Sequence, residues 1–398
     1  MSSLRNQKIK EVLSRGVENI YPNKEALEKV LSAGKKLRIF TGIDPTGPSL
    51  HLGHVAVLLK LKQLQDLGHE VIILIGDFTA QIGDPTDKMA VRKPLTKKQV
   101  LTNAKDYKKQ VGQILDLKKT IFKYNSAWLE KLTFTDFLQL SAYFTAQQTL
   151  ARGMFKERLT AGKDLYLHEF FYPLMQAYDS VAMDVDMEIG GNDQTFNMLA
   201  GRTLMKKMKN KEKFVLAVKL LEDPTGVKMG KTQGNMVSLA DPAPAMYGKI
   251  MSWPDDFIAL AFELITPAPT AEVSQVKNDL KAGKNPKILK MLLAYKIVEF
   301  YYGAKAAIAA EENFRQVFEE GLNPDKMPKF KTKSKKLVDI LLETKLATSR
   351  TEARRLINQG GIRVDTKKVT DEDYQIDKID ADGVVIQKGK RHFIKIVN

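Results

Sequence analysis

Through residue 236, short apolar runs alternate with longer segments in which apolar residues recur every three or four positions. Residues 37–43, 71–75, 120–124, 185–189 and 214–218 read as strands. Between the first two, residues 51–67 place Val55, Leu58, Leu59 and Leu64 at helical spacing and stop at Gly68. Alternation of this kind predicts a parallel sheet with crossover helices. The stretch from 124 to 185 is too long for one crossover and carries further helical patterning, which predicts an inserted helical subdomain at about 125–180.

At Asp241-Pro242-Ala243-Pro244 the pattern changes, and residues 246–321 are dominated by helical periodicity, 286–302 most clearly. Residues 323–336 carry two prolines and six lysines and read as an exposed basic linker. Beyond lie helical patterns at 337–342 and 350–358, the pair Gly360-Gly361, and strand patterns at 361–364 and 383–387. The expected fold class is α/β: a parallel-sheet domain over 1–236, an all-helical domain over 237–325, a linker over 326–336 and a small α+β domain over 337–398.

Composition narrows the chemistry. A chain of 398 residues has room for more than one core. Its longest apolar runs, such as Val71-Ile72-Ile73-Leu74-Ile75, fall far short of the roughly 20 residues a membrane span needs, and the polar N-terminus lacks the apolar stretch of a secretory signal. A cytoplasmic protein with no membrane partner is expected. The sequence has no cysteine, which excludes disulfides, thiolate metal sites and thiol catalysis. A formal net charge of +16 favours a polyanionic partner such as nucleic acid.

After the first predicted strand comes Gly42-Ile43-Asp44-Pro45-Thr46-Gly47-Pro48-Ser49-Leu50, and then His51-Leu52-Gly53-His54 opens a helix. A helix N-terminus offers unpaired N–H groups and a partial positive charge, which suit a phosphate. Two histidines three apart share one face of the first turn, and Gly53 between them leaves space for a base or ribose. By chance such a pair could be a surface pair or half a metal site, but the strand, turn and helix context favours a phosphate grip and no third ligand is placed nearby. Far downstream, Gly226-Val227-Lys228-Met229-Gly230-Lys231-Thr232 brackets two lysines with glycines, a loop suited to neutralising charge on a departing pyrophosphate.

Together these segments resemble the two signature motifs of class I aminoacyl-tRNA synthetases, although Lys228-Met229-Gly230-Lys231-Thr232 departs from the usual pattern at both serines. The resemblance covers essentially the whole chain and is closest to the bacterial tyrosyl-tRNA synthetases. It is carried further by Thr79-Ala80-Gln81-Ile82-Gly83-Asp84-Pro85, by Tyr172-Pro173-Leu174-Met175-Gln176-Ala177-Tyr178-Asp179 and by Gly190-Gly191-Asn192-Asp193-Gln194. It implies a Rossmann-like catalytic domain, a helical anticodon-binding domain and a C-terminal S4-like RNA-binding domain.

By that resemblance, Thr46, His51, His54, Lys228, Lys231, Lys88 and Arg92 serve catalysis. The last two belong to a segment that closes over pyrophosphate, and Thr46 and His51 face the γ-phosphate. Thr41, Gly42, Asp44, Gly53, Asp193, Met229 and Thr232 bind ATP, with Asp193 on the ribose hydroxyls. Asp84, Tyr172 and Gln176, with Thr79 nearby, surround the α-amino group, while Gln194 sits by the α-carboxylate. Asp179 accepts the phenolic hydrogen bond. Phe40 stands where the family commonly has a tyrosine that makes a second bond to that hydroxyl, so it can only pack against the ring. ATP enters as substrate with Mg2+ accompanying its triphosphate, and no metal held tightly by the protein is expected.

The segment Thr348-Ser349-Arg350-Thr351-Glu352-Ala353-Arg354-Arg355-Leu356-Ile357 resembles an S4-type RNA-binding helix presenting Arg350, Arg354 and Arg355 to phosphates. The partners expected are L-tyrosine, ATP, tRNA(Tyr) and a second copy of the chain, contacted through the helical insertion. The alternatives are a tryptophanyl-tRNA synthetase, which would not normally carry such a tail, and a non-catalytic RNA-binding paralogue.

Overall fold

The structure is a computed structural model that describes residues 2–84, 95–150, 152–222, 236–318, 327–377, 379, 383–389 and 392–397. It divides into two compact units, one formed by Met1–Asp241 and Trp253–Leu293, the other by Pro242–Ser252 and Ala294–Asn398.

The first unit is built on six strands: β1 Val17–Tyr21, β2 Arg38–Ile43, β3 Glu70–Ile75, β4 Thr120–Tyr124, β5 Met187–Gly191 and β6 Phe214–Val218. Their order is β1-β6-β5-β2-β3-β4, with every pair parallel except β1 with β6. The middle strands are apolar because both faces are covered; Ile39, Phe40, Ile72, Ile73, Val215 and Leu216 are fully buried. β4 and β6 coincide with the runs read from sequence. β5 begins two residues later than expected, because Asp186 closes the lead-in: its N–H donates to Arg38 O at 2.9 Å and its Oδ2 accepts from Arg38 N–H at 2.9 Å. β1 has no counterpart in the sequence reading.

From β2 the chain crosses through the helix Leu52–Asp66 to β3; from β5 it crosses through the helix Thr195–Lys209 to β6, on the other side. The C-terminal ends of β2 and β5 therefore flank a topological switch point, where sheets of this kind bind ligands. The expected insertion consists of the helices Ser126–Leu129, Phe134–Ser141, Ala146–Leu150, Gly153–Thr160 and Leu167–Met183.

Two helices expected in a separate domain, Phe257–Ile265 and Thr270–Lys281, belong to this first unit. Arg15 accounts for much of the attachment. Its guanidinium donates to Phe262 O at 3.0 Å, Glu263 O at 2.8 Å and Thr266 O at 2.8 Å, satisfying carbonyls at the helix end.

In the second unit, Ala243–Met251 packs on Ala304–Phe318 through the Tyr247 and Phe314 rings, 5.5 Å apart. A further sheet has the order β7-β11-β10-β8-β9, formed by β7 Lys329–Lys331, β8 Ile362–Val364, β9 Lys367–Val369, β10 Val384–Lys388 and β11 His392–Val397. It covers the helices Leu337–Glu343 and Arg350–Asn358 around Leu337, Ile340, Ile357, Ile386 and Ile396. Residues 326–336 were expected to be linker, and this is corrected: β7 pairs in parallel with β11, and Phe330 packs on the same core. One apolar residue among lysines is enough to dock an edge strand, a signal that charge content hides. Among the described residues, no helix is long and apolar enough to cross a membrane.

Candidate active site

The loop after β2 and the turn after β3 meet at Asp44. Thr79 Oγ1 donates to Asp44 Oδ1 at 2.8 Å, and the Tyr172 hydroxyl donates to Asp44 Oδ2 at 2.9 Å. Gly76 makes this approach possible, since a Cβ there would lie 1.9 Å from Asp44 Oδ1 and 2.4 Å from Thr79 Oγ1. Burial, reinforced by the Asp44 charge, holds the Tyr172 phenol well above its ordinary pKa, so the hydroxyl keeps its proton as a donor.

Asp179, on the same helix, is 2% exposed. Trp128 Nε1 donates to its Oδ1 at 2.7 Å and Asn125 Nδ2 to its Oδ2 at 3.3 Å. Burial pushes the carboxyl well above the usual range, and these two donors oppose the shift. Asn125 is itself fixed: its Nδ2 also donates to Thr79 Oγ1 at 3.0 Å, and its Oδ1 accepts from Phe78 N–H at 2.9 Å. Phe40 is fully buried, packed with Ile72, Leu74, Met183, Val185 and Trp128.

Gln176 turns to a charge pair formed by Glu188 on β5 and Lys213 just before β6. Its Nε2 donates to Glu188 Oε1 at 3.1 Å, and Glu188 Oε2 accepts from Lys213 Nζ. Asp84 gathers a different set. Arg152 Nη2 donates to Asp84 Oδ1 at 2.9 Å, while Gln194 Nε2 at 2.8 Å and Asn197 Nδ2 at 3.3 Å donate to Oδ2. The structure thus joins Asp84 to Gln194, and Tyr172 and Thr79 to Asp44. Gln176 is joined instead to Glu188.

At the phosphate end, His51 is the N-cap of the helix Leu52–Asp66. Its Nδ1 accepts from Gly53 N–H at 3.1 Å, and its own N–H donates to His54 Nδ1 at 3.2 Å, a reciprocal capping box made of histidines. With Nδ1 accepting, the neutral His51 ring carries its proton on Nε2. At Gly53 a Cβ would meet the His51 ring at 2.9 Å, so the missing side chain makes room for the capping imidazole. Gly42 and Thr46 are exposed, Thr41 is buried, and Thr46 N–H donates to Asp44 O at 2.8 Å. Asp193 follows β5 within the short turn Asn192–Gln194.

Lys88, Arg92, Lys228, Met229, Lys231 and Thr232 lie outside the described residues. The chain just after the lysine segment runs beside the histidine turn: Leu52 N–H donates to Val237 O at 3.0 Å and Leu239 N–H to Leu50 O at 2.9 Å.

Comparison with known proteins reflects this arrangement. Residues 32–319 match the model of class I tRNA synthetases (W and Y), and residues 318–396 match that of the tyrosine–tRNA ligase SYY-like C-terminal domain. A tyrosine–tRNA ligase of Carboxydothermus hydrogenoformans is 43% identical over 97% of this chain and 97% of its own. That of Moorella thermoacetica is 42% identical over 97% and 94%. The chain belongs to the tyrosine–tRNA ligase family.

The fold agrees with this placement. A C-terminally truncated mitochondrial tyrosyl-tRNA synthetase of Aspergillus nidulans superposes with a TM-score of 0.66 at 23% identity, covering 80% of this chain and 98% of that one. Within the tyrosine–tRNA ligase frame, sequence reasoning missed Asn125, Trp128, Arg152, Glu188, Asn197 and Lys213. Asn125 and Trp128 follow directly after β4, a position at a strand's C-terminal end that could have singled them out. A lysine before a strand and an arginine between short helices carry no such signal.

Proposed function

We propose that this tyrosine–tRNA ligase activates L-tyrosine with ATP, releasing pyrophosphate, and transfers the tyrosyl group to the 3′ end of tRNA(Tyr). A tyrosine carboxylate oxygen attacks the α-phosphorus and the bond to the β-phosphate breaks. A terminal ribose hydroxyl of the tRNA then attacks the adenylate carbonyl, losing its proton as AMP leaves. The attacking carboxylate is already anionic at pH 7, so no general base is required, and the rate comes from positioning and charge stabilisation.

The observation that carries this reading is the buried Asp179 with two fixed donors beside Tyr172 and Gln176. A hydroxyl-bearing ring suits such an acceptor, and a ring lacking the hydroxyl would leave it unpaired; this enzyme class is itself a standard illustration of that discrimination. In the same reading Thr79, Asp84, Tyr172 and Gln176 face the α-amino group, Gln194 the α-carboxylate, and Phe40 packs against the ring. Thr41, Gly42, Asp44 and Asp193 take ATP, accompanied by Mg2+. Thr46, His51, His54, Lys88, Arg92, Lys228 and Lys231 take the developing pyrophosphate charge. Exchange between pyrophosphate and ATP, measured with tyrosine, tryptophan and phenylalanine, should proceed far faster with tyrosine than with either of the others. Exchange driven chiefly by tryptophan, or by none of the three, would overturn the reading.

The second unit serves tRNA in this proposal. Arg350, Arg354 and Arg355 are exposed, as are Lys329, Lys331, Lys333, Lys335 and Lys336. Arg350 and Arg354 each have a half-buried acidic neighbour, Asp339 at 2.9 Å and Glu372 at 3.5 Å, and with both arginines exposed these pairs are weak enough to yield to phosphate. A homodimer is proposed through the helical insertion, where Phe134 and Leu167 are 77% and 76% exposed beside Leu138 and Phe171. A monomeric mass in solution at micromolar concentration would refute it. The site and the tRNA substrate together favour a cytoplasmic enzyme.

A further inference from the structure

Beneath the proposed amino-acid site lies a charge pair that the reaction does not use. Lys213 is fully buried and Glu188 is 1% exposed. The Lys213 ammonium donates to Glu188 Oε2, to Ser180 Oγ at 2.8 Å and to Met198 O at 3.2 Å, so its three donors have three acceptors. It also lies 5.5 Å from the centre of the Phe40 ring. Space for it comes from Gly201 on the facing helix, where a Cβ would sit 2.5 Å from Lys213 Nζ and 2.8 Å from Ser180 Oγ. An isolated buried pair of this kind usually contributes little stability compared with apolar residues of the same shape, so its presence calls for another role.

The second carboxylate oxygen shows what that role is. Glu188 Oε1 accepts from Gln176 Nε2, and with Oε2 occupied by Lys213 it can only accept. Whichever side of the Lys213–Oε2 contact holds the proton, Oε1 presents a lone pair. The Gln176 amide is thereby fixed with its nitrogen toward Glu188, which turns its carbonyl oxygen the other way. An ammonium is donor-only and needs such oxygens. With the opposite flip, Gln176 would present N–H groups to a cation.

We propose that Glu188, locked by Lys213, is a positioning residue that sets the amide orientation of Gln176, so that a carbonyl oxygen meets the α-ammonium of the amino-acid substrate. This rests on the reading of Gln176 as a contact of the α-amino group. Glu188 touches no substrate; it acts through Gln176.

The test compares binding of L-tyrosine with binding of its desamino analogue, 3-(4-hydroxyphenyl)propionate, which lacks the ammonium. The double variant Glu188→Met/Lys213→Met removes the lock while preserving shape; Glu188→Leu/Lys213→Met is measured alike should the first fail to fold. Loss of one charge-assisted hydrogen bond predicts about tenfold weaker binding of L-tyrosine, with the analogue unchanged. Glu188→Gln/Lys213→Met restores an acceptor without a charge and should recover L-tyrosine binding. Equal weakening of both ligands, no weakening of L-tyrosine, or failure of the glutamine variant to rescue overturns the proposal. Gln176→Ala separates the two levels. If it weakens L-tyrosine selectively and the apolar variants do not, only the role of Glu188 falls; if it weakens both ligands equally, the α-amino reading of Gln176 falls with it.

Discussion

The indole of Trp128 points its only N–H at Oδ1 of Asp179, 2.7 Å away, in a place where Asp179 is almost wholly removed from water. An acceptor in that position needs donors of its own to remain ionised, and Trp128 with Asn125 supplies them. Trp128→Phe keeps the ring packing and deletes one donor. The expected result is a fall in kcat/KM for tyrosine activation of about 10- to 100-fold, and a smaller fall for phenylalanine, which never uses the carboxylate. Burial already raises the carboxyl, and losing a donor raises it further. The acid limb of the pH–rate profile should therefore move to higher pH. Equal losses for both amino acids would show that Trp128 only packs.

Gly201 is the tightest point of the buried Glu188–Lys213 pair. In Gly201→Ala the new methyl group meets both an ammonium already held by three acceptors and the Ser180 hydroxyl that is one of them. Helix propensity favours alanine by roughly 1 kcal/mol, but the overpacking cost of about 1–3 kcal/mol should outweigh it. Urea unfolding reads the balance. A variant as stable as the parent would mean that Lys213 relocates freely.

Much of the first sheet was legible because buried parallel strands must be apolar along their length; Phe214-Val215-Leu216-Ala217-Val218 admits no other reading. β1 was not. It is an antiparallel edge strand with the sequence Val-Glu-Asn-Ile-Tyr, mixed in polarity because one edge and part of one face meet solvent. The motif-bearing residues of the site stood out in sequence because chemistry restricts them to a few residue types. Their supports did not. Nothing in Lys213-Phe214 distinguishes a fully buried lysine from an exposed one, since its environment is assembled from Ser180, Glu188 and Met198. Likewise, the partnership of Arg152 with Asp84 joins segments 68 residues apart.

His69 couples the sheet to pH. Its Nδ1 accepts from Leu37 N–H at 3.2 Å, and its Nε2 is buried with no hydrogen-bond partner among the described residues. Burial, followed by the charge of Arg5, lowers its pKa from 6.5 to about 4. Between those values the unfolded chain binds more protons than the folded one, so stability falls as pH drops from 6.5 to 4 and is flat below. The loss should approach roughly 3 kcal/mol. His69→Asn keeps an acceptor for Leu37 and cannot titrate. Urea unfolding across this range should show a shallower slope for the variant, and identical slopes would refute the assignment.

His51 combines two functions that can be separated. As N-cap it stabilises the helix Leu52–Asp66, and in the proposed reaction its Nε2–H faces the triphosphate. Asparagine is among the best N-caps, so His51→Asn should change stability by no more than a few tenths of a kcal/mol. Removing a donor that acts on developing charge should lower the adenylation rate by about 10²- to 10³-fold, with tyrosine binding nearly unchanged. Pre-steady-state adenylate formation read beside thermal unfolding distinguishes these. A variant that is less stable but equally fast would make His51 a cap and nothing more.

The position of β7 decides where the C-terminal region can be cut. A deletion starting within the lysine-rich segment would leave Lys329–Lys331 without its partner β11 and expose Phe330, which packs on the small core. Ending the chain at residue 326 removes the sheet as a whole. That truncation should retain tyrosine-dependent pyrophosphate exchange, because the residues proposed for activation precede residue 242, and it should lose most tRNA charging. In the full chain, Arg355→Ala deletes one exposed cation from the helix Arg350–Asn358. Each lost phosphate contact should reduce the slope of log affinity against log salt by about 0.7–0.9. Charging unaltered by truncation, or a salt slope unmoved by Arg355→Ala, would place the RNA surface elsewhere on the molecule. If the truncation loses exchange as well, the C-terminal sheet supports the catalytic residues in addition to any contact with RNA.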